Sequence, residues 1–353
     1  MTMHTDLFEQ LTNELLNVFL ISVIAFIVAM LLTPIYTNLA YRYKFWKKQR
    51  DTSTTGEKLL VFVKLHKEKF ERNIPTMAGM IGVVAIAGVT FVMNLDRAET
   101  RLPLAALIGG GIVGLIDDII NIRGQGSGVA GLRSSFKFLM ITLLGVVLGW
   151  WFFNNIGVTA IHIPFVGDLA LGWLIVPVFA FAVVATGNAV NISDGLDGLA
   201  GGLLIASFGA FGMIALLQGQ VMLAGFCFTV IGALLAYLWF NIYPARFFMG
   251  DVGSFAFGTS LGVVAMMTNS FFLIPVIGVL FVIEAGSSAL QIVSKKVFKR
   301  KVFISAPIHH HLEAKGWPET KVTMRFWVIG AIAAFIGVLV ALAGGHIITG
   351  FGG

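Results

Sequence analysis

Long apolar stretches separated by short polar segments follow one another along almost the whole chain. A helix crosses a bilayer with about 20 mostly apolar residues, and ten stretches approach or reach that length. They are 18–40, 74–93, 102–120, 134–153, 169–189, 199–217, 221–240, 252–268, 271–294 and 325–349. The pattern therefore predicts an all-α, polytopic integral membrane protein with ten transmembrane helices, forming one domain over residues 1–353.

The composition agrees with this prediction and excludes several other classes of protein. Apolar residues make up 57% of the chain and charged residues 12%, whereas a soluble domain has roughly 45–50% and 25%. A soluble enzyme, a disordered chain and a nucleic-acid-binding module are therefore excluded. The single cysteine, Cys227, also excludes a disulfide framework and a metal site built from cysteines.

The positions of the basic residues predict how the spans are oriented. If the ten spans alternate in direction, all of the 24 lysines and arginines except Arg97 and Arg101 fall on one side of the membrane. Cytoplasmic loops carry the excess of Lys and Arg. We therefore expect this side to be cytoplasmic and both chain termini to lie on the external side.

Five aspartates lie at the cytoplasmic ends of predicted spans, in otherwise apolar sequence. They are Asp117, Asp118, Asp194, Asp197 and Asp251. Acidic groups are costly at a membrane and usually face a cavity or mark a functional path. Their convergence on one face predicts a single site, although each could instead simply end a span in headgroup water.

Asp117 and Asp118 are adjacent at the end of the third predicted span. Successive residues of a helix point about 100° apart, so the two carboxylates can serve different partners. Adjacent carboxylates also repel each other, which favours the recruitment of a cation or a proton.

The segment 188–198 is unusually rich in polar residues and glycine. Asp194 and Asp197 would share a helical face if the segment were helical, and Gly195 would let the backbone approach a ligand closely. Asn191 offers both a hydrogen-bond donor and an acceptor to a sugar or a base. The alternative is a glycine-rich turn between two helices.

Two further motifs suggest contacts with phosphate. Asp251 lies between glycines at a predicted helix start. An aspartate at this position could bind Mg²⁺ or act as the helix N-cap. Phe248, three residues earlier, could stack on a nucleobase. His309, His310 and His311 are consecutive, so their side chains splay and cannot all bind one metal ion from one helix face. Near phosphate they could donate hydrogen bonds or carry protons, or they could simply be interfacial histidines.

These motifs together resemble those of the polyprenyl-phosphate N-acetylhexosamine-1-phosphate transferase superfamily. The shared elements are the Asp117-Asp118 pair, the Asn-x-x-Asp-Gly-x-Asp-Gly segment from Asn191 and the Gly-Asp-x-Gly-Ser segment from Gly250. The histidine triplet, its continuation 313–319 and Arg325-Phe326-Trp327 resemble the peptidoglycan branch. The segment 74–79 resembles a Thr-Pro-Thr-Met-Gly-Gly motif, and the likeness covers about residues 18–349.

The resemblance implies a reaction, a cofactor and partners. The expected enzyme transfers phospho-MurNAc-pentapeptide from UDP-MurNAc-pentapeptide to undecaprenyl phosphate, releases UMP and requires Mg²⁺. The expected protein is a homodimer in the bacterial inner membrane, with ten transmembrane helices and a cytoplasmic active-site cleft. An attacking phosphate and a pyrophosphate are both anionic, so catalysis should rest on positioning and charge neutralisation.

The resemblance also implies roles for individual residues. Asp251 matches the Mg²⁺ ligand, Asp117 matches the acid proposed as base toward the lipid phosphate, and Asp118 completes the catalytic pair. His309 matches a histidine implicated in catalysis or pyrophosphate contact. The residues expected to bind substrate are Asn191, Asp194, Gly195, Leu196, Asp197, Asn241, Phe248 (under the uracil), Gln291, His310 and His311.

The sequence lacks two lysines that the family usually carries. Glu71 stands at one of these positions and Asn121 at the other, within Asp117-Asp118-Ile119-Ile120-Asn121. The cations that could replace the missing charge are Lys69, Arg72, Arg123 and Lys137.

Two other functions fit parts of the pattern. A transferase for UDP-GlcNAc or another UDP-amino sugar shares most of the motifs, but the histidine triplet disfavours it. A transporter or channel would place its acidic residues near the bilayer centre rather than at one face.

Overall fold

A computed structural model describes residues 2–46, 73–96, 98–123 and 132–345. Twelve α-helices are present in this part of the chain. They are α1 (Thr2–Arg42), α2 (Gly79–Met93), α3 (Arg101–Arg123), α4 (Ser134–Trp151), α5 (Ile175–Ser193), α6 (Leu199–Leu217), α7 (Val221–Asn241), α8 (Gly250–Met267), α9 (Ile274–Ile277), α10 (Val279–Val297), α11 (Ile308–Ala314) and α12 (Glu319–Ala343).

Eight of these helices are long and apolar enough to cross a membrane, namely α1, α3, α4, α5, α6, α7, α8 and α12. A ninth crossing is formed if the segment Phe271–Ile277 and helix α10, which meet at an angle of 83°, act as one broken span. Helix α2 is apolar but has only 15 residues. Within the described residues a polytopic helical membrane protein is therefore confirmed, and the expected number of ten spans is not.

The broken and shortened spans have local causes. Pro75 disfavours helical geometry in Ile74 before it, and Met77 has a positive φ of 73° that no right-handed helix allows, so the predicted stretch 74–93 becomes helical only from Gly79. The stretch 271–294 bends at Gly278, which separates helices α9 and α10. An apolar run in sequence therefore does not guarantee one straight helix.

One small β-sheet departs from the all-α expectation. Strands β1 (Ala160–Ile163) and β2 (Gly167–Ala170) pair antiparallel, with Ala160 opposite Ala170. Gly167 adopts a positive φ of 114° in the hairpin, a conformation that glycine reaches without steric cost. The predicted span 169–189 consequently starts inside β2, whereas the helix itself begins at Ile175.

Helix α8 lies at the centre of the bundle and is buried along nearly its whole length, packed mainly against α3 and α5. Its approach to α3 depends on Gly114, because a Cβ atom there would overlap the carbonyl group of Asp251. Small residues allow such close helix contacts in membranes. Thr259 of α8 adds a hydrogen bond of 2.9 Å from Oγ1 to the carbonyl oxygen of Ala106. This crossing brings the end of α3 beside the start of α8.

Candidate active site

A single lysine joins two of the predicted acidic residues. The Nζ atom of Lys137, in the first turn of α4, donates to Asp117 Oδ2 and to Asp251 Oδ2, each at 2.6 Å. The side chains are 3% exposed for Asp117, 15% for Asp251 and 18% for Lys137. Three helices therefore meet at a partly buried cluster of two negative charges and one positive charge. We refer to Asp117, Lys137 and Asp251 as the acidic cluster.

Asp117 is held by further donors. Its Oδ1 atom accepts the backbone N–H of Leu132 at 2.6 Å, and its Oδ2 atom accepts the Asn121 amide at 3.3 Å. Asn121 therefore contacts the acid but carries no charge, while Lys137 supplies the cation. Of the four candidate replacements for the missing family lysines, Lys137 is at the acidic cluster and Arg123 is exposed at the end of α3. Glu71, Lys69 and Arg72 lie outside the described residues.

Asp118 faces a different partner from its neighbour. Its side chain is fully buried, and its Oδ2 atom accepts the backbone N–H of Val252 in the first turn of α8 at 3.0 Å. A carboxylate at a helix N-terminus is stabilising. The expectation that adjacent acids serve different partners is confirmed. The N-cap residue of α8 is Met249, which makes no side-chain cap, and Asp118 caps the helix instead. The alternative N-cap role for Asp251 is therefore wrong, because Asp251 lies inside the helix.

The predicted nucleotide segment is a turn and not a helix. Helix α5 ends at Ser193 and α6 begins at Leu199, so Asp194 and Asp197 do not share a helical face. We refer to residues 194–198 as the acidic turn. Asp194 and Gly195 are partly exposed, whereas Leu196 and Asp197 are buried. The structure therefore has the glycine-rich turn that the sequence left as an alternative.

Several predicted substrate-binding side chains are engaged by the protein itself. Asp197 Oδ2 accepts the backbone N–H of Ala245 at 3.0 Å. Asn241 bonds Gly198 N–H and the Phe247 carbonyl oxygen, both at 2.9 Å. These groups fix the acidic turn to the segment that follows α7.

Asn191, Gln291 and Phe248 occupy three other parts of the site region. Asn191 Nδ2 donates to Ser254 Oγ at 2.8 Å, which links α5 to α8. Gln291 Oε1 accepts the N–H groups of Val302 and Phe303, both at 3.0 Å. Phe248 is half-buried, and its backbone pairs with the segment around Pro75. Their contact with substrate stays a prediction.

The three histidines point to three different partners, as the splay argument predicted. His309 Nδ1 lies 2.7 Å from Glu284 Oε2, and His310 Nδ1 lies 2.7 Å from Glu313 Oε2. His311 Nδ1 accepts the backbone N–H of Ile304 at 3.1 Å. Burial, and then the neighbouring His309, lower the pKa of His310 to about 4, so this imidazole is neutral near pH 7.

Glu284 contacts the predicted site residue His309, and the sequence did not single it out. It lies in α10 with no exposed surface, and its Oε1 atom has no hydrogen-bond partner among the described residues. A lone carboxylate in the apolar stretch 271–294 was the available signal, because intramembrane acids are usually functional.

His309 and the acidic turn are in contact. A Cβ atom on Gly195 would overlap the imidazole of His309 near Nε2, so only glycine fits between the two. The histidine helix α11 and the acidic turn therefore form one surface. The sequence motifs around Asp194 and His309, more than 100 residues apart, are brought together as expected.

The lysine-bridged carboxylates suit a divalent cation of the magnesium type. Mg²⁺ is commonly bound by one or two carboxylates, several waters and substrate phosphates, and Asp117 and Asp251 supply two carboxylates around one shared cation position. The described ranges contain no cluster of three His, Cys, Asp or Glu residues that could enclose a metal ion. The donor set therefore fits an ion that substrate helps to bind.

Comparisons with known proteins show which family the chain resembles. The sequence model of the family described as glycosyl transferase family 4 matches residues 101–269. This range contains Asp117, the acidic turn and Asp251. Together with the apolar helices, this match defines a membrane-embedded glycosyl transferase.

Three relatives narrow the class. The phospho-N-acetylmuramoyl-pentapeptide-transferase of Chloroflexus aggregans is 36% identical over 346 residues, which cover 94% of this chain and 91% of the relative. The same-named proteins of Geobacillus thermodenitrificans and Clostridium perfringens are 35% and 37% identical, covering 90% and 89% of this chain and 95% and 94% of theirs. The chain belongs to the phospho-N-acetylmuramoyl-pentapeptide-transferase family.

Proposed function

We propose that this chain transfers phospho-MurNAc-pentapeptide from UDP-MurNAc-pentapeptide to undecaprenyl phosphate and releases UMP. The observation that carries the proposal is the cluster of Asp117, Lys137 and Asp251, within a chain that belongs to the transferase family. In the reaction, an oxygen of the lipid phosphate attacks the sugar-bearing phosphorus of the donor. The bond from that phosphorus to the bridging oxygen breaks, and UMP leaves with the bridging oxygen.

Asp117 and Asp251 would hold the Mg²⁺ ion, which when bound neutralises phosphate charge and orients the reacting oxygens. Lys137 adds a positive charge at the same place, which lowers the repulsion between two anionic substrates. Hydrogen bonds from the Leu132 N–H and from Lys137 hold the Asp117 carboxylate in place beside this positive charge. We therefore propose that Asp117 acts through charge and position, and that the lipid phosphate reacts in its ionised form without a protein base.

His309 is proposed to contact the donor pyrophosphate. Its Nδ1 atom is occupied by Glu284, so Nε2 is the atom directed toward the acidic turn. The hydrogen bond at one imidazole nitrogen determines whether the other nitrogen carries a proton. Asp194 and Gly195, the partly exposed members of the turn, are proposed to contact the nucleoside together with Phe248 and Asn191.

The proposed topology has ten spans, with both termini external and the site facing the cytoplasm. Helix α3 ends, and helices α4 and α8 begin, at the acidic cluster, so these ends share one side of the bundle. The excess of Lys and Arg in the connecting segments supports a cytoplasmic location. The location in a bacterial inner membrane and the homodimer rest on the family resemblance alone.

The test uses purified, folded protein with undecaprenyl phosphate, Mg²⁺ and one of two donors. UDP-MurNAc-pentapeptide should yield UMP, and UDP-GlcNAc should not. Folded protein that yields no UMP from either donor would contradict the proposal. Release of UMP from UDP-GlcNAc alone would establish the amino-sugar transferase that the sequence left as the alternative.

A further inference from the structure

One face of helix α12 binds the backbone of the acidic turn. Glu319, Thr323 and Trp327 are spaced four residues apart, so their side chains project from the same side of the helix. Glu319 Oε1 accepts the Asp197 N–H at 2.6 Å, and Thr323 Oγ1 donates to the Asp197 carbonyl oxygen at 3.2 Å. Trp327 Nε1 donates to the Gly198 carbonyl oxygen at 3.1 Å.

These contacts complete the hydrogen bonding of two successive residues. Asn241 Oδ1 accepts the remaining N–H, that of Gly198. All four backbone polar groups of Asp197 and Gly198 are therefore bonded to side chains, three of them to α12. The Gly198 carbonyl oxygen also accepts the backbone N–H of Gly202, the first hydrogen bond of α6, so Trp327 is its second donor. Buried backbone groups without a partner are costly, and the face of α12 supplies the partners of both backbone groups of Asp197.

The packing is as close as the hydrogen bonding. Gly198 has a positive φ of 77°, and a Cβ atom there would lie 3.3 Å from Cζ2 of Trp327. A Cβ atom on Gly202, one turn further along α6, would overlap the indole ring. Trp327 therefore rests directly on the backbone of the turn and of α6, and leaves little freedom for the turn to shift.

The same chain segment also carries His309. Helix α11 and helix α12 are separated by only residues 315–318, and the imidazole of His309 abuts Gly195 at the other end of the turn. We infer that Glu319, Thr323 and Trp327 are positioning residues that hold the acidic turn in register with His309 for binding of the uridine-nucleotide donor. This inference rests on the proposed function.

The inference predicts a defect that is selective for the donor. Thr323→Val should raise the KM for UDP-MurNAc-pentapeptide about 3–10-fold, the range expected when one neutral hydrogen bond is lost. Glu319→Ala should raise it about 10–100-fold, because a charged acceptor is lost. The KM for undecaprenyl phosphate should change less than about twofold, because the acidic cluster is untouched.

Conservative variants and a matched control separate positioning from general stability. Glu319→Gln and Thr323→Ser keep an acceptor oxygen and a hydroxyl group, so both should restore the donor KM to within about threefold of wild type. Thr320→Val makes the same chemical change on the exposed side of α12 and should have no effect. Calorimetric titration with UMP measures the same binding without turnover.

The outcomes distinguish this inference from the proposed function. An unchanged donor KM and UMP affinity in Glu319→Ala and Thr323→Val would overturn the inference, as would an equal rise in both substrate KM values. Wild-type protein that releases no UMP would overturn the proposed function, while UMP titration of the same variants would still test the inference. If Glu319→Ala does not fold, Thr323→Val and Trp327→Phe carry the test.

Discussion

Lys137 offers the sharpest test of the site, because one substitution removes the only cation seen between Asp117 and Asp251 in the described structure. Each carboxylate oxygen lies 2.6 Å from the same Nζ atom, so the two oxygens are at most twice that distance apart. Two unit charges at about 5 Å repel by about 3 kcal/mol at an effective dielectric constant of 20. This agrees with the cost of about 3–5 kcal/mol for removing one partner of a buried ion pair.

Lys137→Met keeps the apolar stem and removes the charge. In EDTA we expect it to unfold a few degrees below wild type in a thermal scan, since about 3 kcal/mol corresponds to about 4 °C for a chain of this length at an unfolding entropy of about 2.1 cal/mol/K per residue. Added Mg²⁺ should raise its melting temperature more than that of wild type, because the freed carboxylate pair binds the ion and a ligand of the folded state stabilises it. UMP release should fall at least about 100-fold.

Two control variants make the result interpretable. Lys137→Arg keeps the charge and should melt close to wild type in EDTA. Lys296→Met makes the same change at an exposed position at the end of α10 and should leave both stability and Mg²⁺ response unchanged. A Lys137→Met protein that melts like wild type in EDTA and gains no extra stability from Mg²⁺ would refute the reasoning.

Three further predictions concern the rest of the site. Asp251→Asn should abolish Mg²⁺-dependent UMP release, because it removes one of the two carboxylates of the cluster; full retained activity would remove Asp251 from the metal role. Glu284→Gln should lower kcat by about 100-fold or more with unchanged UMP affinity, since an uncharged amide no longer fixes the tautomer of His309; a wild-type kcat would contradict this. His310 has a pKa of about 4 in the folded chain, against 6.5 ordinarily. Between these two pH values the unfolded chain binds more protons than the folded chain. The contribution of His310 to the free energy of unfolding is therefore full above pH 6.5 and declines as the pH falls toward 4. Wild type should therefore lose about 2 kcal/mol between pH 7 and pH 5 that His310→Gln does not lose, as measured by thermal unfolding at both pH values; identical pH profiles would contradict it.

The periodic features of the sequence predicted the larger part of the fold. Apolar length identifies a helix in any solvent that cannot hydrogen-bond the backbone, so eight of the ten expected spans correspond to long apolar helices. The exceptions depend on single residues. Pro75 and the positive φ of Met77 shorten α2, Gly278 separates α9 from α10, and the hairpin around Gly167 replaces the start of a span. A hydropathy pattern averages over about 20 residues and does not resolve such local effects.

The candidate site could be predicted by residue type but not by pairing. Adjacent acids on a helix must diverge, so the different partners of Asp117 and Asp118 follow from helical geometry. Which cation reaches Asp117 depends on how α4 packs against α3 and α8, and the sequence left Lys137 as one of four candidates. Glu284 was visible as a lone acid in an apolar run, but its pairing with His309 joins two separate helices.

The same reasoning changes how polar residues in a membrane site should be interpreted. Asn241, Gln291 and Asp197 are expected from the resemblance to bind substrate, yet their side chains bond backbone groups of nearby turns. Turns at a membrane interface cannot satisfy all of their own N–H and carbonyl groups, and an unpaired group there is costly. Side chains that supply these bonds are therefore as necessary to the site as those that contact the ligand. A polar motif in a membrane enzyme thus combines two kinds of residue: those that stabilise the backbone of a turn and those that the turn leaves partly exposed, such as Asp194. The two kinds can be distinguished only by their hydrogen-bond partners.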